Sequence, residues 1–438
     1  MSIRINEALH GDSEPWNQGA ITDQPKEKIE HVGIILGLWL SGIFTASLFL
    51  TSELGASVIP PLARNAVALV WPLIYFAFSS CKFVPRRLSF GTYVPLVGFA
   101  IFSALSVIIS PIPYQSTSYV LLTLITTWIV LQFNYNLDGK GYERGMTIFA
   151  LVAVTLLVSY AAMSYIPGAR LGFGKGVLNA NHIAILAMSG ILSAMAIRTI
   201  PIRVVALGLA IVVLALTGSR ASAAATIIGI FIITYVRVYM ARSNTKLLFA
   251  ALIVLLVIAG GYYSDLILTS LNDYFAIHDR HRGLETGASG RTIAWSVTWE
   301  LFLANPILGV GFRAHEQLLR VATSSHNGYL AMLAEIGLPG FLCIVWLITA
   351  GCYRLWMRVW DPELYYSHSI LLGLCCGYLT LAMFERYLIN VGNPASLLFL
   401  LGILIPSPSI HGKPPRVNTG AWTPMLDSRI EWPVRLKL

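Results

Sequence analysis

Between Ser289 and Phe341 the sequence SGRTIAWSVTWELFLANPILGVGFRAHEQLLRVATSSHNGYLAMLAEIGLPGF sets Arg291, Arg313, His315, Arg320, His326 and Glu335 into a chain that is otherwise mostly hydrocarbon. Guanidinium groups present a planar fork of donors that suits phosphate, and a neutral imidazole can take a proton from a hydroxyl. These residue types therefore fit a reaction in which arginines hold an anionic leaving group and His326 activates an acceptor. Other stretches add to the set. Arg170 and Lys175 stand in a loop with Gly172, Gly174 and Gly176, whose bare backbone lets a ligand come close. Arg220 closes the run Thr217-Gly218-Ser219-Arg220, and Phe384-Glu385-Arg386 is followed by Asn393. The acidic residues Asp265, Asp273 and Asp279 are scattered, with no Asp-x-Asp pair, so no metal is expected.

The elements that must position these groups are apolar. Of 438 residues 56% are hydrophobic and 12% charged, against about 25% charged in an ordinary soluble domain. At about 20 apolar residues per crossing, the runs at 32–51, 62–80, 90–110, 117–133, 146–166, 182–197, 201–217, 221–236, 246–263, 341–357, 367–384 and 395–406 predict roughly twelve spans. The expected fold is an all-α polytopic integral membrane protein, about twelve transmembrane helices with one long outer loop. Its organisation reads as a polar tail over 1–31, nine helices over 32–264, a catalytic loop over 265–340, three helices over 341–406 and a second tail over 407–438. The first tail, with Glu14, Asp23, Pro25 and Glu27, is not of signal-peptide type. Both tails are expected in the cytoplasm. The net charge of +9 reflects membrane orientation by cytoplasmic Lys and Arg, not nucleic-acid binding. Cys81, Cys343, Cys352, Cys375 and Cys376 show neither disulfide nor metal spacing.

Alternating the loops places Lys82, Arg86, Arg87, Arg198, Arg203, Arg237, Arg242 and Lys246 inside. Arg170, Lys175, Arg220, Arg291, Arg313 and Arg386 fall outside, against the insertion bias. An anionic ligand on the outer face explains them. Arg220 has almost no loop around it, and the small residues Ala221 to Ala225 mark a tightly packed helix after it. Asn181 is expected to cap the helix after the glycine loop, Ser289 the helix that carries Arg291, and Ser325 a helix with His326 in its first turn, where the dipole disfavours imidazolium. Trp295, Trp299 and Phe302 form a stripe that would lay their helix on the membrane surface. Gly337, Pro339 and Gly340 interrupt the helix behind His326. Glu385 pairs with Arg386 or Arg220, or orients His326 or a sugar.

These residues carry a resemblance. Thr217-Gly218-Ser219-Arg220 at the end of an apolar run, then GRTIAW from Gly290, NPILGVGF from Asn305, SHNGYL from Ser325 and EIGLPG from Glu335 resemble the bacterial O-antigen ligase and polymerase superfamily, more closely its exopolysaccharide polymerase branch. The likeness covers about residues 170–400. It implies a metal-independent, cofactor-free glycosyltransferase of the inner membrane that moves a glycan from an undecaprenyl diphosphate carrier to an acceptor hydroxyl on the periplasmic face. By motif, Arg220 and Arg291 would bind the diphosphate, His326 would be the base, and Glu385 and Asn393 resemble a Glu and Asn near the end of the polymerase branch. Arg170, Lys175, Asn181, Arg313, Asn327 and Arg386 complete the expected substrate site. The loop GVLNANH from Gly176 lacks the Lys-Asn pair of that branch. Expected partners are the carrier-linked glycan, membrane lipid and other polysaccharide assembly and export proteins. A ligase acting on a lipid core, and a lipid-linked oligosaccharide flippase, are the rival readings; charges gathered at one face instead of the midplane speak against the flippase.

Overall fold

The structure, a computed structural model, describes residues 26–49, 61–79, 88–172, 178–241, 243–263, 287–319, 324–386 and 388–406. Its helices are α1 (Lys26–Phe49), α2 (Pro61–Phe78), α3 (Phe90–Val107), α4 (Pro113–Asn136), α5 (Gly139–Ser164), α6 (Ala180–Ala194), α7 (Ile200–Thr217), α8 (Arg220–Met240), α9 (Ser243–Tyr262), α10 (Gly287–Ala304), α11 (His315–Leu318), α12 (Gly328–Arg358), α13 (Tyr365–Ala382) and α14 (Pro394–Ile403). No strand occurs among the described residues. Each of the twelve apolar runs falls on a helix, and the break at Arg198 to Pro201 does separate α6 from α7. Seven helices, α1, α3, α4, α5, α7, α8 and α12, are long and apolar enough to cross a membrane. The chain is an all-α polytopic membrane protein.

The twelfth run departs from expectation. α14 has ten residues, about 15 Å of rise and half of a bilayer core of about 30 Å. It is buried along its whole length, so its last carbonyls cannot reach water and must find donors inside the protein. Arg354, itself buried, supplies them: Nη2 donates to Ile403 O at 2.8 Å and Nε to Ile405 O at 2.9 Å. Asn134 Nδ2 donates to Leu401 O at 2.9 Å, and Asn134 Oδ1 accepts from the Tyr142 hydroxyl at 2.8 Å.

Small residues let the helices of the core approach closely. α13 packs along α8, and a Cβ on Gly229 or Gly373 would meet the carbonyl of the other. Gly377 lies against Ala225, in the small-residue run that follows Arg220. α1 pairs with α5 in the same manner through Gly33, Gly37, Gly141 and Gly145.

One element organises the site end of the bundle. α12 is broken at Gly337, whose φ of 69° and ψ of 178° are not helical. Pro339 has no N–H to give Glu335 O, and Leu338 N donates to Pro306 O at 2.8 Å instead of continuing the helix. The carbonyls of Ala334 and Glu335 are thereby released, and the loop 305–311 takes them: Val310 N donates to Ala334 O at 2.8 Å and Gly311 N to Glu335 O at 3.1 Å. Gly309 and Gly337 both have positive φ and each presses on the backbone of the other strand of this clasp. The far side of the loop is tied to α3 by Phe312 N donating to Ser106 Oγ at 3.1 Å.

Gly337→Ala is expected to lower the melting temperature of the detergent-solubilised protein, because a Cβ meets the Ile307 carbonyl and φ becomes strained, a cost above about 1 kcal/mol. Gly208→Ala on α7, with open space around the new Cβ, is expected to leave it unchanged or raise it, by up to about 1 kcal/mol. Equal melting of the two variants would remove the clasp from the stability of the fold.

Candidate active site

His326 stands just before α12, and the expected cap is displaced by two residues. Asn327, not Ser325, is the N-cap: its Oδ1 accepts from Tyr329 N and Leu330 N, both at 3.1 Å. His326 is thus outside the first turn, and the helix dipole is not what keeps it neutral. Its φ is 48°, and Arg313, at 63°, is the other non-glycine residue with positive φ among those described. Such backbone costs about 1–3 kcal/mol and persists where the surroundings enforce it. Here two buried serines enforce it. His326 N donates to Ser324 Oγ at 3.3 Å, and Ser325 Oγ exchanges bonds with the Asn327 backbone at 3.2 and 3.4 Å.

Four charged groups from three other elements act on this histidine or on one another. His326 is half-buried, and burial pushes its pKa down to about 4, with the positive charges of Arg291 and Arg386 adding to the effect. Arg291, on the first turns of α10, lies 5.7 Å from the Phe384 ring centroid and is itself held below its ordinary value by burial, against the pull of Glu385 and with the push of Arg220. Glu385, in the turn after α13, is pushed up to about 7 because burial outweighs Arg291 and Arg386. Of the two partners expected from sequence Arg386 acts on it, and Arg291 acts on it as well. Arg386 also faces Glu316 of α11 at 3.7 Å. Arg220 begins α8, half-buried, after Gly218 at φ 58° and buried Ser219.

The glycine loop joins this cluster from the side. Arg170 Nε donates to Thr217 O at 2.7 Å and packs against Gly218, so it touches the run that presents Arg220. Arg170, Gly172, Asn179, Ala180 and Asn181 line a cleft of about 170 Å³. Asn179, not Asn181, caps α6, by accepting from Asn181 N at 2.9 Å, which leaves the Asn181 side chain to the cleft. Lys175 lies outside the described residues, as does Arg320.

Other expected residues take different positions. Arg313 is buried, donates to Ile389 O at 3.0 Å and lies 5.1 Å from the Tyr119 ring centroid, joining the loop to the segment before α14. Asn393 is the N-cap of α14, accepting from Ala395 N at 2.9 Å. Ser289 lies inside α10, which already begins at Gly287, and so does not cap it. In the aromatic stripe Phe302 is buried against Leu333 and Ala334, and the exposed Trp299 lies beside it with ring centroids 5.1 Å apart.

The sequence reading assigned no role to the most buried ionisable pair in the region. His315 Nδ1 meets Glu335 Oε1 at 2.5 Å with both side chains shielded from solvent. This pair bolts α11 and the loop that carries Arg313 to the half of α12 that follows His326. The available signal was a carboxylate at Glu335 inside an apolar run, where only a partner makes it tolerable.

The helices and this charged end together define a multi-pass membrane protein with arginines gathered around a half-buried histidine. Residues 205–345, from α7 into α12, match a family model described as O-antigen ligase, a span that contains Arg220, Arg291, Arg313, His326 and Asn327. The match supports the likeness to the O-antigen ligase/polymerase superfamily that the motifs carry. No curated protein matches the chain.

Glu335→Ala is expected to destabilise the protein by about 3 kcal/mol, since it strands a buried histidine, and to lower transfer activity through misplacement of Arg313. In a double-variant cycle with His315→Ala the coupling should exceed about 1 kcal/mol. Additive losses would mean that the two residues do not act as a unit.

Proposed function

We propose that this protein is a metal-independent glycosyltransferase of the bacterial inner membrane that polymerises undecaprenyl-diphosphate-linked oligosaccharide repeats into an exopolysaccharide or O-antigen on the periplasmic face. The observation that carries the reading is the placement of a half-buried, neutral His326 within the field of Arg291 and Arg386, with Arg220 acting on Arg291. In the reaction, the bond between the anomeric carbon and the diphosphate oxygen breaks as the acceptor hydroxyl oxygen bonds to that carbon. Arg220 and Arg291 hold the charge that develops on the diphosphate, in a partly desolvated setting where fixed guanidinium groups act most strongly. His326 accepts the hydroxyl proton. Arg170 and Asn181 take part of the glycan in the cleft beside Arg220. Glu385 orients a sugar hydroxyl. The domain over 265–340, together with the turn after α13, forms the catalytic cap, and 32–264 and 341–406 form the membrane bundle between two cytoplasmic tails. A ligase would use the same groups with a lipid core as acceptor, and the two readings part only at the acceptor.

A carrier-bound diphosphate brings negative charge next to the arginines that depress His326. Its binding should therefore raise the histidine pKa and make it a better base.

Purified protein with the extracted carrier-linked repeat should yield a ladder of longer glycans on a gel, with no second acceptor added. Transfer only after a lipid core is supplied would make it a ligase, and silence in both would end the transferase reading. His326→Ala should lose activity at least about a hundredfold while still inserting normally, the usual range for loss of a general base. Arg220→Lys should also lose most activity, because an ammonium cannot replace the bidentate fork. The pH profile carries the sign of the electrostatics. In kcat/KM, which reports the free enzyme, activity should fall off only as pH drops through about 4, where His326 becomes protonated. In kcat the acid limb should lie at higher pH. A free-enzyme limb near 7 would instead assign the base to Glu385.

A further inference from the structure

A second set of guanidinium groups gathers at the end of the bundle away from His326. Arg237 lies seventeen residues beyond Arg220 on α8, about 25 Å of helix rise. With Arg198, in the turn before α7, and Arg203, on its first turn, it converges on Tyr366 at the start of α13. The Arg198 and Arg237 guanidinium carbons lie 4.3 and 3.9 Å from the Tyr366 ring centroid, so the two like charges are held within about 8 Å of each other. Arg203 Nη1 donates to the Tyr366 hydroxyl at 3.4 Å, and that hydroxyl donates to Met195 O at 3.2 Å. Arg237 Nη2 donates to Met195 O at 3.0 Å and Tyr366 O at 3.3 Å, while its Nε is buried with no partner among the described residues.

Among the described residues the charge there is not balanced. Glu143 binds Arg198 through both oxygens, at 2.8 and 2.9 Å, and it is the carboxylate whose charge also reaches Arg237. Three guanidinium groups sharing one carboxylate leave two positive charges over. Orientation by basic residues alone does not require this, because solvated, separated lysines serve it as well. Converging arginines around an aromatic ring are instead a fork for phosphate.

The surroundings are those of a lipid. Ile200, Ile202, Val204 and Val205 on the same end of α7 are exposed, as is Tyr239 near the end of α8. Tyr239 packs edge-on to Trp360 at 4.8 Å, Trp360 to Trp356 at 5.0 Å, and the Lys246 ammonium sits 5.1 Å from the Tyr239 ring centroid. Aromatic and basic residues in this combination mark the headgroup level of a membrane. We propose that Arg198, Arg203, Arg237 and Tyr366 form a binding site for the phosphate of an anionic phospholipid headgroup at the membrane interface opposite the active site, with the acyl chains running along the exposed face of α7. The site is independent of the transferase reading.

The test is native mass spectrometry of the full-length protein in detergent, mixed with dioleoyl phosphatidylglycerol or dioleoyl phosphatidylcholine at equal concentration. Melting curves with dihexanoyl phosphatidylglycerol or inorganic phosphate accompany it. Phosphatidylglycerol should be retained at least about fivefold more than phosphatidylcholine. Arg203→Gln with Arg237→Gln should remove that preference, whereas Lys140→Gln, an exposed charge at the start of α5, where Glu143 also stands, should leave it. Equal retention of the two lipids by the native protein overturns the proposal without recourse to any variant. So does a loss of preference in Lys140→Gln as large as in the double variant, which would make the effect diffuse charge. A rise in melting temperature with inorganic phosphate equal to that with phosphatidylglycerol would assign the site to a free anion and overturn the lipid.

Discussion

A buried carbonyl without a donor is what this architecture is arranged to avoid. In a bundle with little water, each such group costs several kcal/mol, and the chain creates two places where it would arise. At the break in α12, Gly337 and Pro339 release the carbonyls of Ala334 and Glu335, and the amides of Val310 and Gly311 take them up. The loop that carries Arg313 is therefore held by the defect in the helix behind it. At the end of α14, Arg354 does the same for Ile403 and Ile405. Both breaks would be liabilities alone, and both become joints.

The active-site end shows how a joint of this type serves chemistry. His326 and Arg313 have left-handed backbone that only a rigid surround maintains. Buried Ser324 and Ser325, the cap at Asn327 and the His315–Glu335 pair supply that rigidity from different directions. The cost is strain and an ion pair removed from solvent. In the reaction proposed above, the gain is a base whose position does not have to be found anew at each turnover, next to arginines whose charge a diphosphate would cancel.

Charge is sorted along the bundle with little overlap. Arg170, Arg220, Arg291 and Arg386 meet at one end of it, although they are spread over 216 residues from first to last, and Arg198, Arg203 and Arg237 meet at the other. Alternating direction of successive helices produces this sorting.

Much was legible in the amino-acid sequence because it depends on local chemistry. The membrane class and the helix for each apolar run follow from hydrocarbon content and length. The break at Gly337–Pro339 follows from a missing N–H, and the gathering of outer arginines with His326 follows from the parity of crossings. Which neighbour each group takes is a matter of distance across the fold, and there the local reading failed. Asn327 and Asn179 replaced Ser325 and Asn181 as caps, because a cap is chosen by where the chain enters the helix to within a residue or two. Glu385 feels the charge of Arg291, 94 residues earlier in the chain, which no local spacing would suggest. The satisfaction of the last carbonyls of α14 within the bundle needed Arg354 from a distant helix. The pairing of His315 with Glu335 needed the loop to fold back on α12. Hydrophobicity and helix breaking are properties of short stretches and can be read from them; burial, pKa and partnership belong to the packed bundle, because they depend on what distant helices exclude from water.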